Sequence, residues 1–249
     1  MSFELQDLTT PLGRWACMML IRRFEEKIAE LFSRGLIGGT SHLCIGQEAG
    51  AVGVVSALAP TDCLVSSHRG HGHFLARGAP PAELMAELLG KSTGPCRGRG
   101  GSQHVCRRDI YFYGTNGITG GGLPVATGLA LAARQRRTGQ IAVCFFGDGA
   151  SNQGTFHESL NMASVWDLPI LYVCENNLYA MSTRIDSTMR ANHVAERAAA
   201  YKMYGFSVDG MDVRAVRKAA RTAIGHIRAG NGPALVETLT YRYCGHSKS

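Results

Sequence analysis

Long apolar runs and C-x-x-C cysteine pairs are both missing from this sequence. Without an apolar run of sufficient length, no membrane-spanning helix is predicted. Eight cysteines are scattered over 249 residues, which argues against a disulfide framework in so large a chain. Residues 1–12 carry Glu4 and Asp7 and lack an apolar segment, unlike a secretory or transit signal. We therefore predict a cytoplasmic protein that does not bind membranes.

Aromatic residues are also few, at 8% of the chain, and do not interleave with the basic residues. The segment 97–101 resembles an RGG element, and the net charge is +7. Because neither a stacking platform nor a recognition helix accompanies these charges, they do not predict nucleic-acid binding. They suit an enzyme that holds a polyanionic cofactor and an acidic substrate.

The stretch over residues 141–183 carries the strongest pattern. An unbroken apolar run at 141–146 predicts a strand buried on both faces of a parallel sheet, and a Gly-Asp-Gly turn follows it. A helix is predicted over 155–165, and a second buried strand over 170–174 leads to two consecutive asparagines. This stretch therefore predicts a βαβ unit.

Asp148 of the turn and Asn177 of the asparagine pair are predicted to meet, because the carboxyl ends of both strands of a βαβ unit lie at one rim. Carboxylate, amide and carbonyl oxygens are hard ligands that suit an Mg²⁺ ion holding two phosphates. Either motif alone is typical of an ordinary turn or loop. Together, at the ends of consecutive apolar strands, they favour a cofactor site.

Helical and strand patterns alternate along the rest of the chain, which predicts an α/β fold with a largely parallel sheet flanked by helices. The predicted helices cover 47–58, 80–90, 123–137, 192–201 and 213–229, and the further predicted strands cover 63–66, 206–209 and 234–240. An earlier amphipathic helix has an apolar stripe at Leu20, Phe24, Ile28 and Leu31, and its charged residues, Glu25 included, are interpreted as facing solvent. The glycine-rich residues 93–122 are predicted to be irregular and functional. No linker or repeat interrupts residues 1–249, which are predicted to form one domain.

Three other motifs are incomplete. Three histidines within 68–73 match no standard zinc spacing, and the glycines beside Arg69 suit phosphate contact better. Residues 90–92 resemble the end of a P-loop, but Met85 stands where that motif needs glycine. A dinucleotide-binding fingerprint fails in the same way at Val125.

The whole chain resembles the alpha subunit of thiamine-diphosphate-dependent 2-oxo acid dehydrogenases, the first component of the pyruvate, branched-chain and acetoin complexes. Besides the Gly-Asp-Gly and Asn-Asn motifs, six blocks fall in family order: RRFEE at 22–26, His42 with GQEA at 46–49, HRGHG at 68–72, GRGGS at 98–102, NGI at 116–118, and YRY at 241–243 before GHS at 245–247. The resemblance implies the thiamine-diphosphate-binding fold, in agreement with the α/β pattern.

The resemblance also implies roles for individual residues. The residues expected to bind the cofactor are His68, Arg69, Gly117, Thr119, Asp148, Gly149, Ala150, Asn177, Tyr179 and His246. Among these, Asp148, Asn177 and the backbone carbonyl of Tyr179 are expected to bind Mg²⁺. His42 and His246 are expected to be catalytic, because an imidazole beside the reacting carbon can donate to a substrate carboxylate or exchange a proton. The resemblance leaves open whether His71 and His104 have a functional role.

Several partners are implied in the same way. A beta subunit, in an alpha-two beta-two heterotetramer, is expected to supply a glutamate beside the aminopyrimidine of thiamine diphosphate. A lipoyl-bearing acyltransferase is expected to receive the acyl group. The expected substrate is a small 2-oxo acid or acetoin, and the sequence does not choose between them.

Three departures from the family pattern keep alternatives open. The chain ends at Ser249, shorter than family members, His68 stands where tyrosine is common, and Cys244 stands where some members have histidine. One alternative is the amino-terminal half of a split transketolase-like protein, against which the RRFEE, GQEA and GHS blocks count. Another is a truncated, inactive subunit that binds partners. Phosphorylation of Ser247, as in mitochondrial members, also stays open.

Overall fold

A six-stranded parallel sheet lies at the centre of the computed structural model, which describes residues 7–247. The helices and strands, in chain order, are α1 (Pro11–Ser33), α2 (Glu48–Val55), β1 (Cys63–Val65), α3 (His71–Ala76), α4 (Pro81–Leu88), β2 (Phe112–Gly114), α5 (Gly122–Arg136), β3 (Ala142–Gly147), α6 (Gly154–Val165), β4 (Ile170–Asn176), β5 (Tyr179–Ala180), β6 (Thr183–Arg184), β7 (Tyr204–Asp209), α7 (Val213–Arg228) and β8 (Ala234–Leu239). Short 3-10 helices cover Arg108–Ile110, Asp148–Asn152, Ile185–Ser187 and Val194–Tyr201.

The strand order is β2-β1-β3-β4-β8-β7, and every neighbouring pair in this sheet is parallel. The central strand β4 is buried along its whole length, as its apolar residues 170–174 predict, and the burial extends over Glu175 and Asn176. Gly147 at the end of β3 lies opposite Glu175 near the end of β4, so both strands finish at the same rim. The predicted α/β fold with a parallel sheet is confirmed.

Helices cover both faces of the sheet. α1, α2 and α7 contribute to the apolar core on one face, and α5 and α6 contribute to the core on the other. α2 is buried along its whole length and is built from small residues that permit close helix packing. At Gly53 of α2, an added Cβ would lie 2.6 Å from the Cγ1 atom of Val216 in α7. No helix within residues 7–247 has the length and apolar character needed to cross a bilayer.

The predicted apolar stripe of α1 is buried at Phe24 and Ile28, but the interpretation of Glu25 as solvent-facing is wrong. Glu25 is fully buried; it accepts the N–H of Cys44 at 2.7 Å and contacts Nδ1 of His71 at 2.7 Å. A carboxylate on the buried face of a helix is tolerated when such partners satisfy it.

The glycine-rich segment is more ordered than its composition predicts. It contains strand β2, which pairs with β1 at one edge of the sheet. The start of the segment wraps around Glu87 of α4, whose carboxylate accepts the N–H groups of Cys96, Gly98, Gly100 and Gly101 at 2.7 to 3.3 Å. One buried side chain therefore takes the place of strand pairing for this part of the chain.

Candidate functional site

A cavity of about 370 Å³ opens at the carboxyl ends of β3 and β4, where ligands bind in open α/β sheets. The structure brings all eleven predicted site residues to this one cavity. They are His42, His68, Arg69, Gly117, Thr119, Asp148, Gly149, Ala150, Asn177, Tyr179 and His246. His71 and His104, which the sequence leaves open, do not line it.

Asp148 follows β3 directly and is buried, with 3% of its surface exposed. Its Oδ2 atom has no hydrogen-bond partner. Burial raises the pKa of this carboxyl, and backbone hydrogen bonds from Asp148 and Asn177 oppose the rise. A buried carboxylate oxygen without a partner is costly, so this atom is placed for a ligand that the protein itself does not supply.

Asn177 lies just beyond β4 and is also buried. Its Oδ1 atom accepts the N–H of Tyr179 at 3.4 Å, which leads the chain into a tight loop. Leu178 and Met181 both have left-handed backbone angles, with φ of 71° and 54°, which are uncommon for such side chains and concentrate at functional loops. The loop also lies so close to Gly149 that an added Cβ would be 2.6 Å from the Cβ of Ala180.

These residues fit a hard divalent cation. The unpaired carboxylate oxygen of Asp148, the amide oxygen of Asn177 and the backbone carbonyl of Tyr179 are the kinds of donor that Mg²⁺ prefers. All three residues belong to the same cavity, and no lysine or arginine forms an ion pair with Asp148 within residues 7–247.

Three imidazoles of the same lining cluster together. The ring centroid of His42 lies 4.5 Å from that of His68 and 4.8 Å from that of His246. Burial, followed by the charge of Arg69, lowers the pKa of His42 to about 4 and that of His68 to about 3; the same two causes lower the pKa of His246. The cluster is therefore neutral at pH 7 and presents both donor and acceptor nitrogens.

Two guanidinium groups hold the histidine cluster in place. Arg69 is buried and donates to the backbone oxygens of Leu43 at 2.8 Å and His246 at 2.6 Å. Arg242 lies 2.8 Å from Nδ1 of His246 and donates to the oxygen of Met181 at 3.0 Å. Burial, and then repulsion from Arg242, lowers the pKa of Arg69 to about 10, so Arg69 remains charged at pH 7. Two guanidinium groups in one lining favour an anion in the cavity.

Among the lining residues that sequence reasoning missed are Gln47, Glu175 and Arg242. Gln47 is 2% exposed and its Oε1 atom has no hydrogen-bond partner; Glu175 and Arg242 also line the cavity. Gln47 and Arg242 belong to the GQEA and YRY blocks, but a block marks a segment and not the side chain that faces a ligand. Glu175 directly precedes the asparagine pair, so the alternation of side chains along β4 is the signal that could have found it.

The three histidines of residues 68–73 do not converge on one point, in keeping with their non-standard zinc spacing. His68 lines the cavity, His71 contacts Glu25, and His73 lies 2.8 Å from Oγ of Ser66 and 3.1 Å from Oε1 of Glu175. His71 and His73 thus order buried polar groups beneath the cavity.

Comparison with known proteins places these residues in a family. The family model described as dehydrogenase E1 component matches residues 16–249. The chain is 50% identical to the alpha subunit of acetoin:2,6-dichlorophenolindophenol oxidoreductase from Bacillus subtilis, over 92% of this chain and 69% of that protein. It is 48% identical to the pyruvate dehydrogenase E1 component subunit alpha of Rhizobium meliloti, over 93% of this chain and 67% of that protein. The identity to the human somatic pyruvate dehydrogenase E1 alpha subunit is 41%, over 99% of this chain and 64% of that protein.

Proposed function

Since the chain belongs to the dehydrogenase E1 component family, as an alpha subunit of an oxidoreductase, we propose that it acts in a thiamine-diphosphate- and Mg²⁺-dependent 2-oxo acid or acetoin dehydrogenase. The family resemblance and the oxidoreductase class predicted from the sequence are confirmed. The transketolase-like alternative loses its support, because the matching model describes dehydrogenase E1 components.

The unpaired carboxylate of Asp148 is the observation that carries the proposal. It faces the same cavity as Asn177, Tyr179 and Arg69, so oxygen donors for a metal and a guanidinium for a diphosphate line one space. In our proposal, Asp148, Asn177 and the Tyr179 carbonyl hold Mg²⁺ and Arg69 pairs with the diphosphate. Backbone groups at 117–119 and 149–150, with His68, line the cofactor. When bound, thiamine diphosphate supplies a carbanion nucleophile and an electron sink for cleavage beside the substrate carbonyl.

The histidine cluster supplies the proton chemistry in this proposal. His42 and His246 are neutral at pH 7 and their rings are 4.8 Å apart, so they can donate to an anionic substrate or exchange a proton with it. Arg242 keeps His246 oriented through its contact with Nδ1. The clustered neutral imidazoles and nearby cations favour a small anionic 2-oxo acid, and neutral acetoin is the other candidate substrate.

A beta subunit is the proposed partner, because the relatives are named as alpha subunits. We also propose the heterotetramer and the lipoyl-bearing acyltransferase as acyl acceptor, both from the family resemblance, and we keep the cytoplasm as the proposed location. Acyl transfer is assayed with lipoamide, and localisation by cell fractionation.

The test is calorimetric titration of thiamine diphosphate into the chain co-expressed with its beta subunit, with and without Mg²⁺. We expect saturable binding that needs Mg²⁺ and is lost in Asp148→Ala. Asp186→Ala, which removes an exposed carboxylate paired with Arg184, serves as the matched control and is expected to bind normally. Mg²⁺-independent binding, or equal binding by Asp148→Ala, would contradict the assigned cation site.

Turnover separates the active enzyme from the inactive-subunit alternative. The same complex is assayed with pyruvate, a branched-chain 2-oxo acid and acetoin, using 2,6-dichlorophenolindophenol as electron acceptor. Dye reduction with one of these substrates supports the dehydrogenase, and the preferred substrate identifies its class. Normal cofactor binding without turnover would favour a partner-binding subunit.

A further inference from the structure

A second cavity, of about 430 Å³, lies between the start of α1 and the exposed face of α7. Its lining is almost entirely cationic: Arg14, Arg214, Arg217, Lys218, Arg221 and Thr222. The basic residues of α7 recur at steps of three and four, which places them on one side of the helix. No lining residue is shared with the cavity at the strand ends.

Two guanidinium groups in this cavity have unused donors. Arg14 is 6% exposed; its Nη1 atom donates to the oxygens of Leu8 and Thr9 at 2.8 Å, but its Nε atom has no partner. The Nε atom of Arg217 is also buried without a partner. Because a buried donor without a partner is destabilising, an acceptor that entered the cavity would be favoured.

The charges around these donors are not balanced by carboxylates. Within residues 7–247, no carboxylate forms an ion pair with Arg14 or Arg217. Hydrogen bonds from Thr9, and also the charge of Arg14, lower the pKa of the exposed Asp7, but Asp7 forms no ion pair with Arg14. Asp212 caps α7 and lies 3.7 Å from Arg214. Burial, and then repulsion from Arg14 and Arg221, lowers the pKa of Arg217. An anion in the cavity would relieve that repulsion.

We propose that this α1–α7 pocket binds a phosphate group, either as free inorganic phosphate or on a small phosphorylated molecule. Guanidinium forks match the tetrahedral oxygens of phosphate, and two of the guanidinium groups that line the pocket, those of Arg14 and Arg217, each have a buried Nε donor without a partner. A compact oxyanion fits a cavity of this size, whereas an acidic protein surface would meet mainly the exposed cations Arg214, Lys218 and Arg221. The inference does not depend on the proposed function of the strand-end cavity.

Calorimetric titration with inorganic phosphate and, separately, with ATP tests the proposal on the chain purified with its beta subunit. We expect saturable binding that is weakened at least about tenfold in Arg217→Gln, equivalent to about 1.4 kcal/mol. Arg69→Gln removes the phosphate-binding guanidinium of the other cavity, and binding to the α1–α7 pocket is expected to survive it. Lys91→Gln removes one exposed charge elsewhere and should change nothing.

A double variant, Lys218→Gln with Arg221→Gln, controls for a folding defect in Arg217→Gln. Both of its side chains are on the exposed face of α7, so their replacement should not disturb the fold. The double variant should weaken phosphate binding while its unfolding temperature without phosphate stays near that of the parent. Tighter binding of ATP than of phosphate would identify a phosphorylated molecule as the ligand, and comparable binding would identify free phosphate. No saturation at millimolar concentrations of either probe, or binding that both α7 variants retain, would overturn the proposal.

Discussion

Two buried carboxylates, Glu87 and Asp148, show how the cavity differs from the rest of the interior. Both oxygens of Glu87 accept backbone N–H groups, four in all, whereas one oxygen of Asp148 accepts nothing from the protein. A satisfied buried carboxylate orders the chain around it. An unsatisfied one costs stability and is retained where a ligand completes it. The pairing of buried polar atoms therefore separates structural residues from functional ones more clearly than burial does.

Removal of Glu87 should have the largest effect on stability. We expect Glu87→Ala to lower the free energy of unfolding by about 3 kcal/mol or more, because several backbone donors lose their acceptor at once and each costs about 1–3 kcal/mol. Urea unfolding measures the loss, and amide hydrogen exchange of residues 96–101 should accelerate.

Glu83→Ala is the matched control, because Glu83 belongs to the same helix but is partly exposed and pairs with Arg107. Its removal should cost no more than about 1 kcal/mol. Equal losses of free energy of unfolding in the two variants would show that the backbone hydrogen bonds to Glu87 stabilise the protein no more than the ion pair of Glu83 does.

The histidine cluster should make stability depend on pH. The pKa is about 3 for His68, against an ordinary value of 6.5, so the unfolded chain binds more protons than the folded chain in this interval. Neutral His68 therefore makes its full contribution to the free energy of unfolding above pH 6.5, and this contribution is lost as the pH falls from 6.5 towards 3. When the pH falls from 7 to 5, we expect the free energy of unfolding to decrease by about 1–2 kcal/mol less in His68→Gln than in the parent protein.

Denaturant unfolding at the two pH values measures this difference. His157→Gln, which replaces an exposed histidine outside the cavity, provides the reference. A parent and His68→Gln with the same pH dependence would mean that the cavity does not disfavour the protonated imidazole.

Replacement of Asp148 should have the smallest effect on stability, and of opposite sign. Asp148→Asn keeps the shape of the side chain but removes an incompletely paired buried charge. We expect the free energy of unfolding of the ligand-free protein to stay constant or rise by about 1 kcal/mol, while Mg²⁺-dependent cofactor binding is lost. Thermal unfolding without ligand is the measurement. A marked loss of stability would place Asp148 with Glu87 as a structural residue.

The sequence predicts the centre of this fold better than its edges. β3, α6 and β4 follow from two apolar runs and the helical pattern between them. β2 is missed because its three residues lie in a glycine-rich segment, and α3 is missed because its six residues hold two histidines and no apolar periodicity. Both depend on contacts with distant parts of the chain, which a local pattern does not contain.

For the site, motifs predict which residues gather and not what each one contacts. All eleven predicted residues line one cavity. By contrast, the burial of Glu25 and the contact between Arg69 and His246 follow from tertiary packing alone. Charged residues in a helical pattern are normally exposed, so sequence reasoning assigns Glu25 to the surface until its partners are known.

The cavity also joins residues 45–69 to residues 240–246, which lie far apart in the sequence. Thr240 donates to the oxygen of Gly46 at 3.2 Å, the N–H of Tyr243 donates to Ile45 at 3.1 Å, and Arg69 reaches the carbonyl of His246. Contacts between such distant segments form slowly, because the entropy of closing a long loop is lost before the contact stabilises the chain. During folding, the central sheet can therefore be complete before the protein has a place to hold a ligand, and the arrival of residues 240–246 determines when it acquires one.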